Sequence, residues 1–254
     1  MKILGCDYDG TLNFGGIGQE KLKMIEKWRQ AGHKLGVVSG RGPDLMAFVQ
    51  KEFGLRLDFL AAFNGGIILN ERQEILFEAD CKEVDLVELV QDLFAWGCEF
   101  AHVNSDKYYL VQRSEENLKE GEYLLKNLTC PRLLYQVSVV LDGVDEAAKT
   151  VKRIAEKYGA FLTPLQNERC IDIVPKGVSK ADGVRRIAEW YAAQEKDIIV
   201  VGDNFNDIDM LKTYKSYAME NGVAEAKKAA RFTTKNITDL IENELREENV
   251  AQTL

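Results

Sequence analysis

Two aspartates that follow a short apolar run are the first residues of this chain whose types and spacing suggest chemistry. Asp7 and Asp9 lie in the stretch CDYDGTLN, directly after the apolar residues 3–6. Two carboxylates at this spacing can hold a divalent cation through their oxygen atoms. A turn of solvated acids after a strand has the same pattern, so the pair alone leaves both interpretations open.

A second acidic segment, GDNFND, follows another apolar run at residues 198–201 and contains Asp203, Asn204, Asn206 and Asp207. If the two runs form neighbouring strands, the carboxylates that follow them converge and raise one another's pKa values. A cation would relieve this repulsion, and a set of oxygen donors favours magnesium over zinc. The alternative is an acidic loop that only caps the following helix.

Two further segments offer groups that bind phosphate. Lys180 follows Gly177 and Ser179 at the predicted start of a helix, where its charge adds to the preference of a helix N-terminus for anions. Ser39 and Gly40 end another apolar run and offer a hydroxyl and a backbone N–H. Taken singly, the lysine also fits an exposed helix position, and Ser-Gly also fits an ordinary turn.

Together, these segments resemble the four ordered motifs of the haloacid dehalogenase superfamily. DYDGTL resembles the first signature, DxDGT/SL. VVSGR, KGVSKADG and VVGDNFNDIDML are similar to the second, third and fourth motifs, and they occur in the same order. The long insertion between the second and third motifs resembles a type C2 cap, which is the arrangement of the Cof-type (IIB) phosphatases.

The resemblance implies a role for each acidic residue of the first and fourth motifs. Asp7 would be the nucleophile that forms an aspartyl-phosphate, and Asp9 would act first as general acid and then as general base. Asp7, Asp203 and the main-chain carbonyl of Asp9 would bind Mg²⁺, which neutralises charge on the transferring group. Asp207 would hold Lys180 or a metal-bound water in place, and Gly10 would support the first motif.

The resemblance also implies which groups would hold the substrate. The phosphate would be bound by Ser39, Gly40, Lys180 and Asn206. Asn64, in the segment Asn64-Gly65-Gly66, and Arg41 are further candidates for substrate contact. An ordinary surface role is the alternative for Arg41.

These distant segments need a scaffold that brings them together. Unbroken apolar runs alternate with helical patterns, which indicates a parallel sheet covered by helices on both faces, that is, a Rossmann-like α/β core. In such sheets ligands bind beyond the carboxyl ends of the strands. Asp7, Ser39, Asn64 and Asp203 all follow a predicted strand. The helices of this core are predicted at residues 19–31, 43–52, from 180 onward, 223–230 and 237–247.

The middle of the chain has a different pattern. Alternation in KYYLVQ and QVSVVLDG predicts half-exposed antiparallel strands, and helices are predicted at residues 83–95 and 145–158. We therefore predict an inserted α+β cap domain over residues 77–176. The catalytic core would comprise residues 1–76 and 177–254.

Composition narrows the possible partners. The chain has 254 residues and a net charge of −8, which argues against a protein that coats nucleic acid. With 2 histidines and no CxxC pair among its 5 cysteines, it offers no zinc-site spacing. The odd, scattered cysteines favour reduced thiols and a cytoplasmic location, and no apolar run approaches the length of a membrane span. The sequence makes no prediction of oligomeric state.

The expected function is a Mg²⁺-dependent phosphatase that hydrolyses a small phosphorylated metabolite, such as a sugar phosphate or a similar organophosphate. A phosphotransferase or phosphomutase acting on sugar phosphates is the nearest alternative. A non-catalytic regulator that binds a phosphometabolite is a third possibility, and it would be expected to lack Asp7 or Asp9.

Overall fold

The chain divides into two units, one of which is built from both ends of the sequence. The computed structural model describes residues 1–81, 83–105, 107–128 and 134–252. Unit 1 comprises Met1–Phe77 and Ser179–Leu254, and unit 2 comprises Glu78–Val178. Cys130, one of the predicted reduced thiols, lies outside the described residues.

Unit 1 contains an eight-stranded sheet. In its first segment the strands and helices are β1 (Ile3–Cys6), α1 (Gln19–Gln30), β2 (Lys34–Val38), α2 (Leu45–Phe53), β3 (Phe59–Ala62), β4 (Ile67–Asn70) and β5 (Ile75–Glu78). β5 leads directly into unit 2.

Within its described residues, unit 2 contains a six-stranded sheet and two α-helices. Its elements are α3 (Leu86–Ala95), β6 (Phe100–Ser105), β7 (Tyr108–Gln112), β8 (Tyr123–Leu124), β9 (Leu134–Val140), α4 (Val144–Tyr158), β10 (Leu162–Asn167) and β11 (Cys170–Pro175). The strand order is β10-β11-β9-β6-β7-β8. Neighbouring strands are antiparallel apart from β7 and β8, which are parallel.

The chain then returns to unit 1. Its second segment consists of α5 (Lys180–Trp190), β12 (Ile198–Gly202), α6 (Ile208–Thr213), β13 (Lys215–Met219), α7 (Ala224–Ala229), β14 (Phe232–Thr234) and α8 (Ile237–Gln252). The strand order is β14-β13-β12-β1-β2-β3-β4-β5, so β1 lies between strands from the two segments. Strands β14 to β3 are parallel.

The central strands of unit 1 are buried on both faces, as their unbroken apolar sequences predict. Ile3, Val38 and Val200 pack in one cluster with residues of α5, α6 and α7. The alternate residues Leu4 and Val37 are also fully buried. The predicted α/β fold with a parallel sheet is therefore confirmed for the centre of the sheet.

One part of the sheet departs from the prediction of parallel strands. β4 runs antiparallel to β3, with Ala62 opposite Ile67. A single 3₁₀ turn over Phe63–Gly65 connects the two strands. Such a connection is far too short for the crossover that a parallel pair requires, so the chain reverses instead.

The core of unit 2 lies between its helices and its sheet. Leu89 and Leu93 of α3 and Ile154 of α4 pack with strand residues such as Val137 and Ile171. Ser138 and Asp172, which alternate with those inward residues, hydrogen-bond across the sheet, with the Ser138 hydroxyl 2.7 Å from Oδ1 of Asp172. The unit therefore has an apolar core of its own and polar groups on the alternate strand positions.

Two further observations bear on the predicted environment. None of the helices in the described ranges combines the length and the apolar character that crossing a membrane requires. Within those ranges, Cys6, Cys81, Cys98 and Cys170 are free cysteines.

Candidate active site

The register of the parallel strands brings the first, second and fourth sequence motifs to one edge of the unit 1 sheet. Cys6 pairs with Val37 of β2 on one side and with Val201 of β12 on the other. Asp7, Ser39 and Asp203 each lie within two residues of these paired positions, just beyond the carboxyl ends of three neighbouring strands. The sheet itself therefore assembles the predicted cluster.

Lys180 lies at the centre of this cluster. Its ammonium group donates to Oδ1 of Asp7 at 2.6 Å and to Oδ1 of Asp207 at 2.6 Å. Ser179 caps the N-terminus of α5 by accepting a hydrogen bond from the backbone N–H of Asp182, which fixes the start of the helix and hence Lys180. Lys180 is 1% exposed and Asp7 is 6% exposed, so their contact is buried.

Both carboxylate oxygens of Asp207 accept hydrogen bonds from other groups of the protein. While Oδ1 accepts from Lys180, Oδ2 accepts the backbone N–H groups of Asp203 and Asn204, both at 2.9 Å. A side chain at Gly202 would collide with this carboxylate, so only glycine fits the close approach. The Asp207 carboxylate thus holds both Lys180 and the loop that carries Asp203.

Asp203 faces the first motif. Its Oδ1 accepts a hydrogen bond from the hydroxyl of Thr11 at 2.6 Å. Gly10 has a φ of +80°, and a Cβ at this residue would collide with Oδ2 of Asp203. The first motif therefore approaches the Asp203 carboxylate so closely that a side chain at residue 10 has no room.

The cluster has three carboxyl groups and one ammonium group, so full ionisation of the acids would leave excess negative charge. One oxygen from each of Asp7, Asp203 and Asp207 lies within 4.8 Å of the others. Burial raises the pKa of Asp7 well above its ordinary value, against the effect of Lys180 and with the help of the neighbouring charges. Burial also raises the pKa of Asp203, although the Thr11 hydroxyl opposes this shift.

Lys180 remains charged in this setting. Burial alone would lower the pKa of Lys180, but the negative charges of Asp207 and Asp7 raise it above its ordinary value. The cluster therefore comprises one ammonium group and three buried acids. An additional positive charge would be stabilised there.

Asn64 and Asn206 link the second motif to the fourth. The backbone N–H of Asn64 donates to the carbonyl of Ser39 at 2.8 Å, and the side-chain amide of Asn206 donates to Oδ1 of Asn64 at 3.3 Å. Asn64 is fully buried and has a φ of 56°, a left-handed conformation that asparagine tolerates better than most residues. Ser39 is also buried. This arrangement places Asn64 in the framework of the site.

Asp9 is separate from the buried carboxylates. Arg41 binds it with both arms of the guanidinium, Nε to Oδ2 at 2.6 Å and Nη2 to Oδ1 at 2.8 Å. The two side chains are 53% and 55% exposed. The guanidinium also lies over the ring of Tyr8, 5.3 Å from its centroid. Arg41, a candidate substrate contact from the sequence, thus pairs with an acid of the first motif.

Three residues that shape the site have no role predicted from the sequence. Thr11, within the quoted first motif, holds Asp203. The side-chain amide of Asn221 donates to the carbonyl of Gly10 at 3.0 Å. A Cβ at Gly222 would lie 2.7 Å from the carbonyl oxygen of Asp203. The Asn221-Gly222 pair, which begins two residues after the end of β13, is a signal that could have found the last two, because this pair marks a turn near a strand end.

A cavity of about 800 Å³ lies elsewhere in unit 1 and is a separate feature. It is lined by residues that precede β2 and β3, among them His33 and Asp58, and by the last turns of α1. These are the amino ends of the parallel strands, opposite to the ends that carry the carboxylate cluster. Its lining, within the described part of the chain, includes none of the residues of the candidate site.

Comparison with known proteins gives a family match over most of the chain. Residues 4–240 match the haloacid dehalogenase-like hydrolases. YitU of Bacillus subtilis, a 5-amino-6-(5-phospho-D-ribitylamino)uracil phosphatase, is 35% identical over 251 residues, which cover 91% of each chain.

Solved structures have the same fold at lower identity. SMU.1108c from Streptococcus mutans UA159 superposes with a TM-score of 0.82 at 22% identity, covering 97% of this chain and 99% of the other. The HAD subclass IIB sugar phosphatase BT4131 superposes with a TM-score of 0.77 at 19% identity, covering 96% and 98%. At these identities the likeness concerns the fold alone.

Proposed function

We propose, because the chain belongs to the haloacid dehalogenase-like hydrolase family, that it is a magnesium-dependent phosphatase of small phosphorylated metabolites. The observation that carries this proposal is the buried contact of Lys180 with Asp7 at 2.6 Å, beside Asp203. A carboxylate held by a single ammonium group at the carboxyl end of a central strand is suited to attack an anionic phosphate, because the ammonium offsets part of the repulsion.

Asp7 and Asp9 would divide the chemistry between them. In the first step an oxygen of Asp7 bonds to phosphorus, the bond to the leaving oxygen breaks, and Asp9 gives that oxygen a proton. In the second step a water molecule attacks phosphorus, Asp9 takes its proton, and the bond between Asp7 and phosphorus breaks. The difference in burial supports this division, since Asp7 is enclosed with Lys180 while Asp9 is exposed.

The donor set of the cluster fits Mg²⁺. Asp7 and Asp203 would hold the ion together with the main-chain carbonyl of Asp9, all through oxygen, which is the ligand type this ion prefers. Asp207 would not be needed as a ligand, since its oxygens already accept hydrogen bonds from Lys180 and the backbone. When bound, the ion supplies positive charge to the transferring phosphoryl group.

The remaining polar groups of the site would hold the phosphate. Ser39 and Gly40 follow β2 at the same end of the sheet at which Asp7 follows β1. The ammonium of Lys180 contacts Asp7 there. Asn206 would reach the phosphate from the fourth motif, where its contact with Asn64 limits its orientation. Gly10 would support the site by allowing the close approach to Asp203.

The substrate would be a small organophosphate selected by residues of unit 2, which we propose to be the inserted cap domain. The similarity to YitU makes 5-amino-6-(5-phospho-D-ribitylamino)uracil a natural first compound in a screen, followed by sugar phosphates. We also propose a cytoplasmic location, which the free thiols within the described ranges support because disulfides dominate in oxidising compartments instead.

The substitution Asp7→Asn tests the proposed reaction. It removes the nucleophilic oxygen while keeping the size of the side chain, so phosphate release with Mg²⁺ should fall by roughly a thousandfold or more. Lys180 keeps Asp207 as a partner, so the thermal unfolding midpoint should change little. Asp145→Asn, which replaces an acid outside the cluster, is the control and should remain fully active. Strong phosphate release by the Asp7 variant would refute the assignment.

A further inference from the structure

Arg41 and Asp9 form a forked ion pair, to which the proposed reaction assigns no role. Both carboxylate oxygens of Asp9 are engaged, at 2.6 Å and 2.8 Å, by two different nitrogens of one guanidinium group. Two parallel hydrogen bonds fix the plane of a carboxylate in a way that a single contact does not. Asp9 therefore has a defined orientation although it is exposed.

Stabilisation of the fold does not account for this pair. Both side chains are more than half exposed, and exposed ion pairs contribute little to folding. Arg41 is nevertheless held firmly. Its backbone N–H donates to the hydroxyl of Ser39 at 3.2 Å, its carbonyl accepts from Phe63 at 2.9 Å, and its guanidinium lies over Tyr8.

We propose that Arg41 is a positioning residue that fixes the Asp9 carboxyl group for proton transfer to the leaving oxygen. The guanidinium occupies one lone pair on each Asp9 oxygen, so the proton that Asp9 donates is carried on a remaining lone pair of Oδ1 or Oδ2. This inference rests on the proposed phosphatase function. Arg41 acts through Asp9 and touches neither phosphorus nor the leaving group. Without the guanidinium, the exposed Asp9 side chain would sample several rotamers, and only a fraction of encounters would place it to donate its proton.

The consequence is a selective loss of activity that depends on the leaving group. A strongly acidic phenol leaves as its anion and needs no proton from the enzyme, whereas a weakly acidic phenol or an alcohol does. Loss of Arg41 should therefore lower kcat/KM more for substrates with a weakly acidic leaving group than for those with a strongly acidic one. A residue that merely supported the fold would affect both kinds equally.

The experiment uses the full chain with Mg²⁺ and a series of substituted phenyl phosphates, from p-nitrophenyl phosphate to phenyl phosphate, with kcat/KM measured for each. Arg41→Met should lower kcat/KM by less than about threefold for p-nitrophenyl phosphate and by about tenfold or more for phenyl phosphate. Arg41→Lys, which keeps the charge but loses the fork, should lie between Arg41→Met and the parent. Arg185→Met is the matched control, because Arg185 also donates to an aspartate of the same unit with two nitrogens, Nε and Nη2, which both contact Oδ1 of Asp182.

The double variant separates a positioning role from an independent one. Asp9→Asn should show the same dependence on the leaving group, and adding Arg41→Met to it should lower kcat/KM by no more than about a further twofold, since coupled residues behave in this non-additive way. Equal losses across the series for Arg41→Met, or full additivity in the double variant, would overturn the inference and leave the phosphatase assignment standing. Absence of Mg²⁺-dependent turnover in the parent would instead overturn the proposed function, and this inference with it.

Discussion

Gly10 shows how a single backbone position sets the geometry of the candidate site. Its φ of +80° and the missing Cβ together let the first motif lie against Asp203. Other residues adopt this conformation only at a cost, and any side chain here would also collide with the carboxylate, so the position strongly favours glycine. The position is therefore constrained twice, once by conformation and once by space.

The two constraints can be separated by comparing Gly10→Ala with Gly15→Ala. Gly15 has a φ of +68°, but a Cβ added there would meet nothing within 4 Å, so its alanine variant should lose only about 1 kcal/mol of unfolding free energy and keep its activity. Gly10→Ala should lose more stability and at least roughly a hundredfold in kcat/KM, because Asp203 must move. Chemical denaturation and phosphate release would measure both effects. Equal effects of the two substitutions would contradict this account.

For individual residues, the sequence indicated which ones meet in the candidate site better than it indicated the hydrogen bonds and ion pairs that they make. Asp7, Lys180 and Asp203 follow from motif order, because strand ends and a helix start place them. The pairing of Asp9 with Arg41 was not predicted, since it depends on side-chain rotamers in two turns. Thr11 and Asn221 were given no role, because the hydrogen bond that each makes depends on how separate loops approach one another in the fold.

Among the elements, α8 is tied to the sheet by a buried carboxylate. Glu244 has no exposed side-chain area, and it accepts from Lys215 at 2.6 Å, Tyr217 at 2.6 Å and Lys2 at 3.1 Å. Burial alone would raise the pKa of Glu244, but hydrogen bonds from Lys215 and Tyr217 lower it below its ordinary value. The last helix of unit 1 is thus joined to residues that begin β13 and precede β1.

We expect Glu244→Gln to destabilise the protein by about 2 kcal/mol at neutral pH, because it removes the buried carboxylate that the half-buried ammonium groups of Lys2 and Lys215 share. Glu247→Gln is the matched control. Glu247 contacts the same Lys215 at 3.0 Å, but its side chain is 64% exposed, so its loss should cost less than about 0.5 kcal/mol. Urea unfolding of both variants and the parent measures the difference. Similar losses for the two substitutions would count against the buried ion-pair explanation.

The contribution of Glu244 should also depend on pH in a defined direction. Because its pKa is lower in the folded protein, its charge stabilises the fold fully above the ordinary glutamate value of 4.5. That stabilisation should decline as the pH falls below this value and vanish below the folded pKa. The gap in unfolding free energy between parent and Glu244→Gln should therefore narrow on acidification. A gap that widens in acid would reverse the sign of the argument.

Strand prediction succeeded where burial on both faces made the sequence unambiguous. Residues 3–6 are β1, and the runs at 35–38 and 198–201 fall within β2 and β12 with one residue added. β4 and β5 were not predicted. β5 is exposed at both ends and half-buried between them, and its three consecutive apolar residues are too few to mark a buried strand. The helix predicted to end at 247 continues in α8 because nothing in the local sequence stops it.

At the scale of the whole molecule, Mg²⁺ should stabilise unit 1 through the carboxylate cluster. At a Mg²⁺ concentration about a hundred times the Kd, the thermal unfolding midpoint should rise by roughly 5 °C or more. Chelation with EDTA should abolish both this rise and the phosphatase activity. Hydrogen exchange should slow around Asp7 and Asp203 and remain unchanged in α3 and α4. Asp203→Asn should abolish the response. Uniform slowing over both units would argue against a site confined to unit 1.

The strand order of unit 1 has a consequence for how the chain is completed during synthesis. β1 needs β12 on one side, and more than 190 residues separate the two along the chain. Unit 2, which is continuous from Glu78 to Val178, emerges from the ribosome before β12 does. The backbone groups of β1 that face β12 therefore stay unpaired while the inserted unit forms its own core. Protection of that nascent edge is a task for chaperones rather than for the finished fold.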